Sequence, residues 1–205
     1  NQTDKDGKLV ILYAGNKEAQ HSYIEIAKEK GYEVLLLDSP IISHLIQKIE
    51  GDNSNMTFVR VDSDHIDNLI KKEETTISKL SEEEQTNLKT VLEAIVPKQN
   101  YSVQLEALDS NASPFIITQP EFMRRMKEMS QSGGGGMFGM GNMPEMYNLV
   151  VNTNSELATS ILNNKDKIAQ ESLVKQALDL AKLSQNLLKG EALTAFVKRS
   201  FELIK

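Results

Sequence analysis

The sequence predicts a small three-layer α/β unit with a parallel sheet, followed by a mixed α+β domain that ends in a helical bundle. Three observations lead to this prediction. Strand-like and helix-like segments alternate over residues 9–61, a charged stretch poor in apolar residues follows, and two segments with helical periodicity close the 205-residue chain. We therefore expect an α/β unit at 1–62, a charged connector at 63–80 and a second domain at 81–205.

The first unit is built from two continuous apolar runs and a third strand. LVILYAG at 9–15 and VLLL at 34–37 are apolar throughout, as expected for strands that are covered on both faces. A helix with Asn16 as its N-cap and Gly31 as its C-terminal stop joins them. A second helix leads to a third strand at 58–61. This order implies parallel strands with helices on the two faces of the sheet.

The second domain begins with a helix and continues with three strands. The predicted helix starts at Ser81, where Glu84 completes a capping box, and Pro97 stops it. Charged side chains before it, clustered at 71–74, favour a solvated connector. The three predicted strands are YSVQLEAL at 101–108, FIIT at 115–118 and MYNLVV at 146–151.

Seven of the eight methionines lie between residues 123 and 146, together with four consecutive glycines. Unbranched thioether side chains adapt to differently shaped apolar partners. Phe122, Met126 and Met129 recur at spacings of four and three, which predicts one stripe of a short amphipathic helix. The alternative is a core segment with a glycine loop. A glycine run is costly to order, so the pattern favours an exposed apolar element.

The chain ends in two segments with broad apolar faces, joined at Gly190. Such a pair must cover its faces either on its own domain or on a second copy of the chain, and a symmetric four-helix bundle is the simpler solution. The position at the end of a domain favours dimerisation. The predicted dimer contacts are Leu173, Val174, Ala177, Leu178, Ala181, Leu188, Leu193, Phe196, Val197, Phe201 and Ile204.

Composition excludes several classes of function. A net charge of -6 argues against a broad surface for nucleic acid or anionic membrane. The chain has no cysteine, and no apolar run approaches the roughly 18 residues of a membrane span. His21, His44 and His65 show no spacing typical of a metal site or a catalytic triad. The cytoplasm is the expected location, and the opening Asn1 suggests a piece cut from a longer protein.

Four segments of the sequence resemble those of a known protein family. The segments LVILYAGNKEAQ, KEKGYEVLLLDSPI, SPFIITQPEFMRRMKEM and YNLVVNTNSELA, followed by two apolar helices, resemble the heat-shock protein 90 chaperones of the bacterial branch, high-temperature protein G. The resemblance covers essentially the whole chain. It implies the end of the middle domain at 1–62 and the C-terminal dimerisation domain of an ATP-driven, homodimeric chaperone for protein folding under stress.

The resemblance also implies where partners bind. We expect unfolded or partly folded client proteins to contact the amphipathic helix and the glycine-rich segment after it. ATP and Mg would bind upstream, so no cofactor is expected in this chain. Thr153 departs from the family by replacing the proline that commonly follows the asparagine matched by Asn152. The predicted client-binding residues are Phe122, Met123, Met126, Met129, Met137, Phe138 and Met140.

Two alternatives of other classes stay open at this stage. A signal-sequence-binding module of the signal recognition particle also uses methionine-rich helices, but it would need a strongly basic helix pair to grip RNA. A small-molecule enzyme would place its site at the strand ends of the α/β unit, near Gly15, Asn16, Asp38 and Ser39.

Overall fold

The chain divides into two compact units. A computed structural model describes residues 2–39, 41–70, 76–125 and 145–203. The first unit comprises Asn1–Thr75 with Thr118–Tyr147, and the second comprises Thr76–Ile117 with Asn148–Lys205. The sequence analysis placed the segment around Phe122 in the second domain, whereas the structure groups it with the first unit. An ion pair from Arg125 to Glu50, with hydrogen bonds to Tyr13 and to the Phe58 carbonyl, ties this segment to the first unit.

A three-stranded parallel sheet forms the centre of the first unit, as the sequence predicted. The strand order is β2-β1-β3, and both neighbours run parallel to β1. In the sheet, β2 lies on one side of β1 and β3 lies on the other. The connection from β1 to β2 and the connection from β2 to β3 therefore run in opposite directions across the sheet. Right-handed crossovers therefore put the two helices on opposite faces of the sheet, which gives three layers. The elements are β1 (Leu9–Ala14), α1 (His21–Glu29), β2 (Val34–Leu36), α2 (Ile42–Asp52) and β3 (Met56–Arg60).

The face of the sheet under α2 has its own apolar core. Tyr13 of β1, Ile46 of α2 and Phe58 of β3 are buried there, and Ile11 and Met56 pack against them. Because side chains alternate along a strand, Leu12 between Ile11 and Tyr13 is directed to the opposite face, where it is fully buried. Each such side chain stabilises the fold by about 1.5–3 kcal/mol. The central strand is thus covered on both faces.

The first part of the predicted connector, residues 63–70, is packed rather than solvated. Residues 63–70 contain a short helix, α3 (Ile66–Leu69), and Ile66, Leu69 and Ile70 are buried. His65 begins this helix, and its Nδ1 accepts a hydrogen bond from the Asp67 amide at 3.4 Å. The apolar residues follow the i, i+3, i+4 spacing of a helical face. The neighbouring charges at 71–74, which drew the sequence interpretation, lie outside the described residues.

The second unit combines a three-stranded sheet with helices. The strand order is β4-β6-β5, and the predicted capping box of Ser81 and Glu84 is present at the start of α4. No helix was predicted at 156–163, but the structure has one there. Ser155 caps this helix by accepting a hydrogen bond from the Ala158 amide. The elements are α4 (Glu82–Ile95), β4 (Tyr101–Glu106), β5 (Phe115–Thr118), β6 (Tyr147–Asn152), α5 (Glu156–Asn163), α6 (Lys167–Ser184) and α7 (Gly190–Leu203).

Four consecutive polar residues, 152–155, are buried at the end of β6. Asn152 Oδ1 accepts hydrogen bonds from the amides of Leu108 and Asn154, at 3.2 and 3.0 Å. Asn154 Nδ2 donates to the carbonyl oxygens of Ile77 and Leu108 at 3.1 and 3.0 Å. Buried polar groups are tolerated only when they are paired in this way. These hydrogen bonds therefore tie the end of β6 to the segments that contain Ile77 and Leu108.

Thr153 makes contacts in this run that a proline would lose. Its amide donates to the Glu106 carbonyl at 2.8 Å, and its hydroxyl accepts from Ser78 Oγ at 2.9 Å. Proline has no amide hydrogen, so a proline at this position would leave the Glu106 carbonyl without this bond.

We predict that Thr153→Pro lowers the free energy of unfolding by about 1–3 kcal/mol, because the Glu106 carbonyl loses its donor. Urea denaturation followed by circular dichroism measures the change. Thr153→Val is the matched control, since it keeps the amide and removes only the hydroxyl. If the proline variant unfolds at the same urea concentration as the parent, the amide contributes nothing.

Candidate functional site

Residues 121–125 are helical and attach to the first unit through charged side chains. Glu121, Arg124 and Arg125 are spaced i, i+3, i+4, so all three lie on one face of the turn. This face meets Tyr13 of β1 and Glu50 of α2. We call these five residues the anchor cluster.

Arg124 is the buried member of the anchor cluster, with 4% of the residue exposed. Its guanidinium binds both carboxylate oxygens of Glu121, with Nη2–Oε1 at 2.6 Å and Nε–Oε2 at 3.1 Å. Nη2 also donates to the hydroxyl of Tyr13, which in turn donates to Glu121 Oε1 at 3.2 Å. A buried guanidinium is stable only with such partners, so its position is closely fixed.

Arg125 contacts three acceptors at once. Its Nε donates to Glu121 Oε1 at 2.7 Å, Nη1 to Glu50 Oε2 at 2.9 Å, and Nη2 to the carbonyl oxygen of Phe58 at 2.6 Å. Glu50 Oε1 accepts from the amide of the same Phe58 at 2.7 Å. Arg125 therefore joins the helical segment to α2 and β3 together. Its donors are spread over three nitrogens, whereas those of a lysine share one.

The anchor cluster pairs two guanidiniums with two carboxylates. Burial alone would raise the pKa of Glu121, but hydrogen bonds and charge from Arg124 and Arg125 outweigh it and hold that pKa below its usual range. The pKa of Glu50 is lowered in the same way, with burial opposing and Arg125 and the Phe58 amide favouring the charged form. Both carboxylates are therefore ionised at neutral pH.

Phe122 lies off the anchored face and is 70% exposed, which agrees with its predicted place on an exposed stripe. Met123 beside it is half-buried. No role was predicted for the two arginines, and their anchoring contacts were missed. The one available signal was the i, i+3, i+4 spacing of Glu121 with both arginines. Met126, Met129, Met137, Phe138 and Met140 lie outside the described residues.

The terminal helices cover much of their predicted dimer face within one chain. The side of α6 that carries the i, i+3, i+4, i+7 pattern packs on its own unit, and Leu188 and Phe196 are buried with it. These residues are therefore not a free surface, which corrects the prediction for them. Leu173 and Leu193 are half-buried, and Ile204 lies outside the described residues. The residues buried within the chain are Val174, Ala177, Leu178, Ala181, Leu188 and Phe196.

Both terminal helices also keep apolar side chains in solvent. Val197 and Phe201 of α7, which were predicted, are 43% and 65% exposed, and Leu180 and Leu183 of α6, which were missed, are 52% and 42% exposed. An ion pair joins the two helices, with Arg199 Nη2 at 2.7 Å from Asp179 Oδ2. We call Leu180, Leu183, Val197 and Phe201 the outer residues of the helix pair.

A cleft of about 640 Å³ opens at the carboxyl ends of the parallel strands, and Gly15, Asn16, Asp38 and Ser39 line it. This is where the small-molecule alternative would place its site. The loop after β1 uses its own donors, since Gln20 Oε1 accepts from the amides of Gly15 and Asn16 at 2.8 and 3.0 Å. A phosphate would find few free amides there.

Arg60 in the lining of the cleft likewise has partners of its own. Arg60 binds Asp62 Oδ2 at 3.0 Å and Gln119 Oε1 at 2.8 Å. Within the described ranges, no group of three His, Asp or Glu residues is placed to hold a metal ion. In the same part of the chain, none of the helices has the length and apolar content needed to cross a membrane.

Known proteins similar to this chain include bacterial chaperones named HtpG. The chain is 36% identical to the chaperone protein HtpG of Bacteroides thetaiotaomicron, in an alignment that covers 100% of this chain and 40% of that protein. It is 41% identical to the chaperone protein HtpG of Porphyromonas gingivalis over 89% of this chain and 27% of that protein. No family model matches the chain. The chain thus spans less than half the length of the curated relatives that it matches.

We predict that the anchor cluster stabilises the first unit above about pH 4.5 and loses this effect in acid. The pKa of Glu121 is 4.5 when unperturbed and lower in the folded state, so the contribution is complete above 4.5 and falls as the pH drops through the folded value. Glu121→Gln should cost about 1–3 kcal/mol at neutral pH, and less near about pH 3.5.

Urea denaturation of the variant and parent at the two pH values measures this difference. Glu18→Gln is the control, because it neutralises an exposed carboxylate in the same unit. A gap between parent and Glu121→Gln that stays constant with pH would contradict the prediction.

Proposed function

Because the chain belongs to the HtpG chaperones, the bacterial branch of the heat-shock protein 90 family, we propose that it holds non-native client proteins and joins two copies of itself. The chaperone role follows from the family. The surfaces that perform it are proposed from the described residues. Family membership also leaves the signal-recognition alternative without support.

One observation carries the proposal for client binding, namely the exposure of Phe122. A ring that is 70% exposed lies one residue from the Glu121 carboxylate and two from the buried Arg124. The segment is therefore fixed through its charged face while an aromatic side chain remains in water. Contiguous apolar patches in solvent are typical of binding surfaces, and the sequence adds further apolar residues after Phe122. Non-native proteins expose the apolar groups that such a ring would contact.

The methionines extend this proposal beyond the described residues. Met123 is half-buried beside Phe122. From the sequence, Met126, Met129, Met137, Phe138 and Met140 add further adaptable apolar groups. Such a surface binds weakly and with low specificity, which suits a chaperone that must accept many sequences.

Dimerisation is proposed through the outer residues of the helix pair. The inner apolar face of α6 and α7 is already covered by the chain itself, whereas the outer residues remain exposed for a second copy to cover. Phe201, at 65% exposed, would contribute most on burial, about 1.5–3 kcal/mol. A dimer presents two client surfaces, and binding at one raises the effective concentration of a client at the other.

For the whole protein we propose the activity that the family implies. An ATP-driven cycle with Mg would act through parts of the protein that are not in this chain, and we assign no residue here to nucleotide. Client folding under stress in the cytoplasm is the proposed setting. We propose neither nucleic acid nor membrane as a partner, in keeping with the net charge of -6.

We predict that Phe122→Ser weakens binding of an unfolded client by about 3- to 10-fold, because the exposed ring is removed. Suppression of the aggregation of a heat-denatured protein, with Kd from fluorescence anisotropy of a labelled client, provides the measurement. Ile77→Ser is the matched control, since Ile77 is 85% exposed in the other unit. Equal client affinity in Phe122→Ser and the parent would refute the role of Phe122.

We predict that Val197→Glu with Phe201→Glu yields monomers in sedimentation velocity, because charge is placed on the proposed dimer contact. Lys198→Gln changes the charge of α7 at an exposed neighbouring position and should leave the dimer intact. By contrast, charge at the buried Leu178 or Phe196 should unfold the second unit rather than separate intact copies. A dimer that survives both outer substitutions would place the interface elsewhere.

A further inference from the structure

We propose that Glu50 and Arg125 are positioning residues that set the direction in which Phe122 leaves the first unit and thereby control client capture. The inference rests on the proposed client-binding function of Phe122. It goes beyond that function by assigning a role to side chains that touch no client.

The anchoring point is the backbone of an edge strand. β3 lies at one end of the sheet, with β1 on its inner side. The amide of Phe58 donates to Glu50 Oε1 at 2.7 Å, and its carbonyl oxygen accepts from Arg125 Nη2 at 2.6 Å. Glu50 and Arg125 also bind each other at 2.9 Å. An ion pair thus occupies both main-chain groups of Phe58, as a neighbouring strand would.

This anchoring point is rigid because it belongs to the core. The side chain of Phe58 is buried with Ile46 of α2 and Tyr13 of β1. Glu50 follows Ile46 by four residues on the same helix, so its carboxylate is held by a helix that is itself packed on the sheet. Sites supported by packed helices and strands are held more precisely than sites on loops.

Arg125 connects this rigid point to the helical segment. The pairing of Arg124 with Glu121 lies within the segment and cannot by itself tie the segment to α2. Arg125 reaches both Glu50 and Phe58, so it provides the link to α2 and the edge of β3. Arg124 provides a separate link to the Tyr13 hydroxyl. Two links at adjacent residues restrict rotation of the segment about its own axis.

The rotation of the segment decides where Phe122 points. On a helix Phe122 lies about 100° around from Glu121, whose face is turned to the sheet. With that face held, the Phe122 ring is directed to solvent at a fixed angle. Without the Glu50 link, Arg125 keeps only its bond to the Phe58 carbonyl outside the segment. The segment is then less restricted in rotation, and the ring loses its fixed direction. A mobile ring must be ordered again when a client binds, which weakens binding.

The experiment uses the absence of tryptophan from the chain. Phe122→Trp introduces a single fluorescent probe at the position in question. In this background, Glu50→Gln keeps the shape of the side chain and removes its charge. Time-resolved anisotropy should show a larger amplitude of nanosecond motion for the probe in Glu50→Gln. Asp52→Asn is the matched control, because Asp52 is an exposed carboxylate on α2 that pairs with Lys48.

Client binding is measured separately, with Phe122 intact. Glu50→Gln should raise the Kd for an unfolded client by about 3- to 10-fold, and Asp52→Asn should leave it unchanged. Arg125→Lys keeps the positive charge but cannot reach three acceptors, so it should behave like Glu50→Gln. Thermal melting of each variant shows whether the first unit remains folded.

The outcomes separate this inference from the function on which it rests. An immobile probe in both Glu50→Gln and Arg125→Lys overturns the positioning role. A mobile probe with unchanged client affinity also overturns it, provided that Phe122→Ser loses affinity. If Phe122→Ser keeps full affinity, the proposed function has failed and the inference falls with it. Increased probe motion together with weaker client binding supports both.

Discussion

The structure around Phe122 depends on a charged attachment rather than an apolar one. A short helical segment that was held to the sheet by apolar side chains would bury the very groups that a chaperone needs in solvent. Arg124 and Arg125 avoid this conflict because their contacts are made with carboxylates, a phenol and a carbonyl oxygen. The charged side of the segment is therefore fixed, and an aromatic ring on another side stays exposed. The electrostatic cost of burying Arg124 is offset by its full set of partners.

The terminal helices meet a related requirement in a different way. α6 is apolar on two sides, and its own unit covers one of them. Burial of Val174 and Leu178 within the chain holds the helix in place, which leaves Leu180 and Leu183 on the other side in solvent. Arg199 and Asp179 fix α7 against α6 in the same manner. In both parts of the molecule, one helix face makes contacts within the chain, and a second face stays exposed to solvent.

Local patterns allowed a good part of this to be predicted. The continuous apolar runs predicted the parallel sheet, Ser81 and Glu84 predicted the start of α4, and the glycine run favoured an exposed apolar element around Phe122. The link between Glu50 and Arg125 could not be found in this way, because 75 residues separate them and periodicity carries no information about such a distance. Periodicity also shows that a helix face is apolar without showing what covers it. For this reason the inner face of α6 was mistaken for a surface shared with a second copy.

The occupied edge of β3 has a further consequence for a protein that works among unfolded chains. Unpaired main-chain groups on a strand edge invite extended polypeptides to add as new strands, and such growth leads toward amyloid-like aggregates. A chaperone of this family meets aggregation-prone segments as part of its task. Because Phe58 already has both hydrogen bonds filled by side chains, β3 gives those segments no template at that residue. The ion pair of Glu50 and Arg125 thus closes this point of the strand edge to added strands.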